Sequence, residues 1–176
     1  RMMGAGVYDH GYLLGYERLN DHLSTNEGPR HRLWRIRAKQ IITATGAIER
    51  PLSFPSNDIP GIMLASAVRD YATNFGVAVG DKVAIFTNND DAYRTAITLH
   101  EIGVTVPVII DARSGGGGEL AHHAKELGIR VENGKAILKV FGRKRVKAVT
   151  ICDYEKSGAN KEKIECDSIA MSGGWS

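Results

Sequence analysis

Between residues 82 and 132 the chain alternates short apolar runs with amphipathic stretches, and this order narrows the fold more than any other feature. Residues 82–87 (Lys-Val-Ala-Ile-Phe-Thr), 105–110 and 129–132 read as strands, and the first two have the near-continuous apolar character of strands covered on both faces. Residues 90–102 and 119–127 read as helices between them. Asn89 or Asp90 is placed to cap the first helix, and Gly103 and Gly128 to stop the two. A β-α-β-α-β order demands a parallel sheet with right-handed crossovers.

The flanks follow other rules. Residues 4–8 and 12–19 predict a hairpin across Asp9-His10-Gly11. A polar loop at 20–29 leads to residues 32–37, whose alternation predicts a half-buried strand, and to a short apolar strand at 41–44. Prolines punctuate 51–60, which favours extended backbone. A helix is expected at 64–75, stopped by Gly76. Residues 136–141 and 146–152 predict an antiparallel pair around the basic turn Arg143-Lys144-Arg145. A polar loop at 154–163 and a last strand at 166–171 follow, the latter running into Ser172-Gly173-Gly174.

Composition sets limits. With 43% hydrophobic and 24% charged residues the chain reads as globular. A formal charge of +3, with cations spread along the chain outside one triplet, argues against a nucleic-acid partner. No apolar stretch approaches the roughly 18 residues a membrane helix needs, and no signal peptide is visible. Cys152 and Cys166 lie far apart without a C-x-x-C pattern, which points to a reducing, cytoplasmic setting and to no metal site. An opening Arg1 and a close on Trp175-Ser176 give the expectation of a piece of a longer chain.

Four segments invite a chemical reading. The turn Ala44-Thr45-Gly46-Ala47 has side chains small enough for a cofactor to approach the backbone, or it is a plain tight turn. The turn Thr87-Asn88-Asn89-Asp90-Asp91-Ala92 stands where a dinucleotide fold carries G-x-G-x-x-G. It has no glycine, and its carboxylates suit a helix dipole while repelling a phosphate. Asp111 ends the second strand, where a ribose-binding acid belongs, although without the glycines a turn residue is the better reading. Gly115–Gly118 follows the second strand rather than the first and reads as a flexible connector. The histidines show no metal-ligand spacing, and no catalytic dyad or triad is present.

Several phrases together resemble one family. Residues 37–51, through Ile41-Ile42-Thr43-Ala44-Thr45-Gly46-Ala47-Ile48-Glu49-Arg50-Pro51, resemble the second flavin-site motif of the pyridine nucleotide-disulfide reductase superfamily. Residues 57–63 (Asn-Asp-Ile-Pro-Gly-Ile-Met) resemble its interdomain connector. Thr87-Asn88-Asn89-Asp90-Asp91-Ala92-Tyr93 and Ala170-Met171-Ser172-Gly173-Gly174-Trp175 resemble the alpha subunits of heterotetrameric sarcosine oxidases, and Gly6-Val7-Tyr8-Asp9 fits their hairpin.

The resemblance implies an α/β fold: a Rossmann-like parallel βαβ domain, degenerate as a nucleotide binder, inserted in part of a second FAD/NAD(P)-binding-type domain with antiparallel β hairpins. The expected division is 1–60, 61–165, and 166–176 as a return strand to the first domain. It also implies part of an oxidoreductase that demethylates sarcosine with oxygen and tetrahydrofolate, this stretch being inactive alone. NAD would be held noncovalently in the intact subunit, FAD and FMN mainly through the beta subunit, and folate by a domain outside these residues. The expected partners are the other subunits, beta above all, with neither nucleic acid nor membrane. The cofactor contacts implied are Met3 and Gly4 beside the adenine, Thr45, Gly46 and Ala47 beside the pyrophosphate and ribose, and Ser172 and Gly173 in the closing turn. No catalytic residue carries over. A subunit of a related amino-acid or opine dehydrogenase, and a non-catalytic Rossmann-like scaffold, are the alternatives.

Overall fold

A computed structural model describes residues 2–8, 10–21, 24, 28–156 and 158–176, without the side chains of Met2, Met3 and Tyr8. The chain forms two compact units, Arg1–Gly46 and Ala47–Ser176.

The first unit is a three-stranded antiparallel sheet of β1 (Met2–Tyr8), β2 (Tyr12–Arg18) and β3 (His31–Arg37), with β2 in the centre. The expected hairpin is present. Its turn uses left-handed backbone at His10 and Gly11, and a Cβ on Gly11 would collide with the Ala38 carbonyl, whose residue donates its N–H to Gly11 O at 2.8 Å. Asp9 of that turn, and residues 22, 23 and 25–27 of the following loop, lie outside the described residues. Two expectations fail here. β3 alternates in sequence yet is exposed along its whole length, because the three-stranded unit supplies no second layer of its own among the described residues. Residues 41–44 form no strand, since a short apolar run of this kind needs ladder partners on both sides and has none among the described residues.

The second unit is built on a parallel sheet in the order β4-β11-β5-β6-β7. Its strands are β4 (Ile62–Leu64), β5 (Val83–Thr87), β6 (Ile109–Asp111), β7 (Val131–Asn133) and β11 (Ser168–Ser172). Every residue of β5, β6 and β11 is buried, as continuous apolar strands require. The crossover helices are α1 (Ala65–Phe75), α2 (Asp91–Glu101) and α3 (Gly118–Glu126). Gly76 ends α1 in left-handed backbone, its N–H returning to Ala72 O, as the sequence predicts.

Strand alternation sorts the sheet into two cores. Val83, Ile85 and Ile109 face the helices and pack with Val68, Ala96 and Leu99. Ala84, Phe86 and Ile110 face the other way, into a layer made by β8 (Lys135–Gly142), β9 (Val146–Asp153) and β10 (Glu162–Glu165), through Ile137, Val149 and Ile151. Phe54, from the proline-punctuated connector, sets its ring edge-on against Phe86 with centroids 5.5 Å apart. The basic turn between β8 and β9 turns structural. Arg145 donates to Val79 O at 2.6 Å and to Asp167 O at 3.2 Å.

β4 and β10 were not expected. β4 has three residues and finds its parallel partner, β11, about a hundred residues later. β10 is charged, lies at the edge of its sheet against β9, and its first two residues fall in the stretch read as a polar loop. The segment expected as a return strand, 166–176, supplies β11, which lies between β4 and β5. Cys152 and Cys166 are both buried, and burial pushes the Cys166 thiol up to about 12, with Asp167 adding to it.

Ile85, fully buried in β5, marks the centre of this construction. Ile85→Ala is expected to cost about 2–5 kcal/mol, and Ile102→Ala, at a half-exposed helix end, well under about 1 kcal/mol. Urea unfolding midpoints of the two variants test the contrast.

Candidate functional site

Open parallel sheets carry their chemistry outside the carboxyl ends of the strands, and polar side chains gather there in the second unit. After β5, Thr87 Oγ1 accepts the Asn89 N–H at 3.0 Å and donates to Asn89 O at 2.9 Å. The Asn89 amide then bridges two elements. Its Oδ1 accepts the Asp91 N–H at 3.1 Å, and its Nδ2 donates to Ser172 O at 3.1 Å and Ser172 Oγ at 2.9 Å at the end of β11. Of the two caps the sequence allows, Asn89 makes the bond. Asp90 has helical backbone and makes no capping bond.

The Asp90 carboxylate serves elsewhere. Its Oδ1 accepts from Arg113 Nη2 at 2.7 Å and from the Gly117 N–H at 2.9 Å. Arg113 also reaches Asp111, with Nη2 to Oδ2 at 2.7 Å and Nε to Oδ1 at 3.0 Å, while its backbone N–H meets Oδ1 at 2.9 Å. The Tyr93 hydroxyl donates to Asp111 Oδ2 at 2.8 Å. Asp111 is fully buried, so it is the anchor of an ion-pair cluster rather than a turn residue. The Arg113 hydrogen bond and then the Gly117 N–H hold the Asp90 carboxyl below its ordinary value. Burial, with Asp111 beside it, pushes the Tyr93 hydroxyl up, and the bond to Asp111 does the same for Arg113.

The glycine run is part of this cluster. A Cβ on Gly116 would collide with Asp111 Oδ2, and one on Gly117 (φ +84°) would stand 2.6 Å from Tyr93 Cζ and from Ala121 Cβ. The run is therefore a fitted strap over the ion pair, and not a flexible connector. Beside it opens a depression of about 390 Å³ lined by the strap, Arg113, His122 and Lys125. A second depression, of about 490 Å³, lies past β7 between Ser114, Asn133 and Asp153. Among the described residues no group of three or more His, Cys, Asp or Glu side chains is placed to hold a metal ion, and no helix is long and apolar enough to cross a membrane.

The residues singled out in the sequence fall in both units. In the first, Met3 and Gly4 lie on β1, and Thr45 and Gly46 (φ +77°) lie in exposed, irregular backbone. A Cβ added at Gly4 or at Gly46 meets no atom within 4 Å. In the second, Ala47 is exposed, Ser172 is buried with its hydroxyl taken by Asn89, and the Gly173 N–H bonds Arg50 O at 2.7 Å. Glu49, which in the sequence could pair with Arg50 or with other neighbours, pairs with Ser66. It is buried, pairs in a bridge with Trp175, and its Oε2 accepts the Ser66 N–H at 2.9 Å and the Ser66 hydroxyl at 2.6 Å, capping α1 from outside. Arg113 is a residue that the sequence does not single out. An Asp-x-Arg spacing at a strand end, with carboxylates in the preceding βα turn, is the signal that could have found it.

A parallel five-stranded sheet between a helical layer and an antiparallel layer is the fold of FAD/NAD(P)-binding reductases. The chain matches T. acidophilum thioredoxin reductase with a TM-score of 0.65 at 15% identity, over 99% of this chain and 52% of that one. It matches L-proline dehydrogenase from P. horikoshii with a TM-score of 0.56 at 21% identity, over 99% of this chain and 27% of that one. Likeness at these identities speaks for the fold alone. No family model matches the chain, and the narrower assignment comes from whole relatives. The sequence is 37% identical over 177 residues to the sarcosine oxidase subunit alpha of Corynebacterium sp. (strain U-96), and 38% identical over 177 residues to that of Rhizobium meliloti (strain 1021). These alignments take in 97% and 99% of the chain. Along nearly its whole length the chain is similar to these sarcosine oxidase alpha subunits, and it spans 18% and 17% of the length of the two relatives.

Two outcomes follow from the geometry. Gly117→Ala is expected to destabilise by about 1–3 kcal/mol, and Gly115→Ala, where a Cβ meets nothing within 4 Å, by less than about 0.5 kcal/mol; urea midpoints decide. For Asp90, a folded pKa below the unfolded one means that its stabilisation is complete above the unfolded value and is lost as pH falls through the folded value. Acid unfolding of Asp90→Asn should therefore show a shallower dependence on pH than the wild type, with the difference confined to the acid limb.

Proposed function

We propose that this chain is part of the alpha subunit of an oxidoreductase that oxidatively demethylates sarcosine with oxygen and tetrahydrofolate, in a heterotetramer with beta and other subunits. The observation that carries this reading is identity of 36–38% to sarcosine oxidase alpha subunits, sustained over 97–99% of the chain. In this reading the intact subunit holds NAD noncovalently. FAD and FMN belong mainly to the beta subunit, and folate binds a domain outside these residues.

The residues present fit a dinucleotide in part. Gly4 and Gly46 leave backbone open to a ligand, since a side chain at either would meet nothing, and Thr45 is exposed beside Gly46. Met3 and Gly4 are proposed to lie by the adenine, and Thr45, Gly46 and Ala47 by the pyrophosphate and ribose. Ser172 and Gly173 stay in the proposal as shaping residues, because their polar groups are engaged within the fold. Bound NAD would supply a redox-capable dinucleotide. This chain's residues would bind and orient it, and none is proposed to be catalytic.

The test uses the full-length protein in its assembled complex. Denaturation should release NAD in roughly stoichiometric amount, and sarcosine should drive oxygen uptake. Thr45→Trp should lower the NAD released on denaturation while far-UV circular dichroism stays unchanged. Absence of both bound NAD and sarcosine-dependent oxygen uptake in the wild-type complex overturns the reading.

A further inference from the structure

At the carboxyl ends of β5 and β6, the positions that a dinucleotide would bond are already taken by this chain's own side chains. A dinucleotide bound to a parallel sheet of this kind uses three places: the first βα turn, the N-terminus of the helix behind it, and an acid at the end of the second strand. The first turn carries Asn89 and Asp90 in place of glycines, and both are engaged, Asn89 with β11 and Asp90 with Arg113 and Gly117. At the start of α2, the Asp91 N–H is taken by Asn89 Oδ1.

The acid is engaged most completely. A carboxylate offers about four acceptor positions. Asp111 Oδ1 receives the Arg113 N–H and Nε, and Oδ2 receives Arg113 Nη2 and the Tyr93 hydroxyl. No acceptor position remains for a ribose hydroxyl. The Gly116 backbone then lies directly on this pair, with no room for even a Cβ.

We infer that Arg113 is an internal occupant of this crevice. Its planar guanidinium, forked between Asp90 and Asp111, fills the ground of a ribose and pyrophosphate, so the second unit's crevice selects a guanidinium cation and rejects an anionic dinucleotide. The bidentate fit of guanidinium to carboxylate explains why an arginine holds the place. Asp90 and Asp111 set the specificity, and the Gly116 and Gly117 backbone lies close against Asp111 and Tyr93.

Hydrogen exchange read by mass spectrometry on the full-length protein tests this. In the wild type, saturating NADH or NADPH should leave exchange across residues 88–92 and 111–118 unchanged, and slower exchange there overturns the inference. Slower exchange at residues 2–8 and 43–47 would bear on the proposed NAD contacts of the first unit and leaves this outcome untouched. In Arg113→Ala, exchange across 111–118 should rise at least about tenfold, the size expected on losing charge-assisted bonds to a buried carboxylate. Ethylguanidinium should slow it again, while sodium chloride at equal concentration should not. Failure of ethylguanidinium to act overturns the inference. If Arg113→Ala does not fold, Arg113→Lys keeps the charge and loses the fork. Its exchange across 111–118 should also rise, and exchange equal to the wild type overturns the assignment.

Discussion

A fully buried carboxylate is the constraint around which the carboxyl edge of the second unit is arranged. Asp111 ends a strand whose residues are all out of water. A charge in that position is tolerated only with partners that replace its hydration. Arg113 supplies the counter-charge and Tyr93 a neutral donor, and the Gly116 backbone lies close against the carboxylate. Removing any one member would leave the others worse off, so the cluster acts as a unit.

The two units divide the work differently. The sheet of the second unit is covered on both faces and its polar strand ends are satisfied internally, which is the condition of a load-carrying framework. The first unit is a sheet whose third strand is exposed throughout and whose Gly4 and Gly46 face open space. Leu33, Trp34 and Ile36, set between cationic residues on β3, are apolar side chains whose exposure carries a cost. That cost, and the small share of its relatives' length that the chain spans, belong to the same picture of a piece that works inside a larger protein.

How far the fold was legible depended on whether each element's signal was local. β5, α2 and α3 announce themselves through continuous apolar runs, helical spacing and stopping glycines, all within a few residues of the element, whereas the strand read at 105–110 is regular only over Ile109–Asp111. β4 and β10 do not, because their stability comes from partners across the sheet: Ile62–Leu64 from β11, and a charged edge strand from β9. Residues 41–44 show the converse failure, a strand-like run without the ladder that makes a strand. In the candidate site, Asp90 and Asp111 were visible as carboxylates at strand ends. The guanidinium between them was not, since an Asp-x-Arg spacing says nothing until a loop folds Arg113 back between two strand ends. Gly115–Gly118 misled for a related reason. Four glycines in a row look like slack, whereas Gly116 and Gly117 are small because neighbours press on them.

The position of β11 has a consequence for how the molecule is made. It lies between β4 and β5 and joins them into one sheet, yet it stands some eighty residues after β5 in the chain. During synthesis at about 5–20 residues per second, β4 and β5 emerge seconds before the strand that covers their edges. Until then β5, apolar but for Thr87, offers an unpaired edge, the kind of template on which chains add to one another. A nascent chain of this protein therefore passes through an interval in which a strand bound for the middle of the sheet is still an open edge, and that interval ends only when residue 172 has left the ribosome.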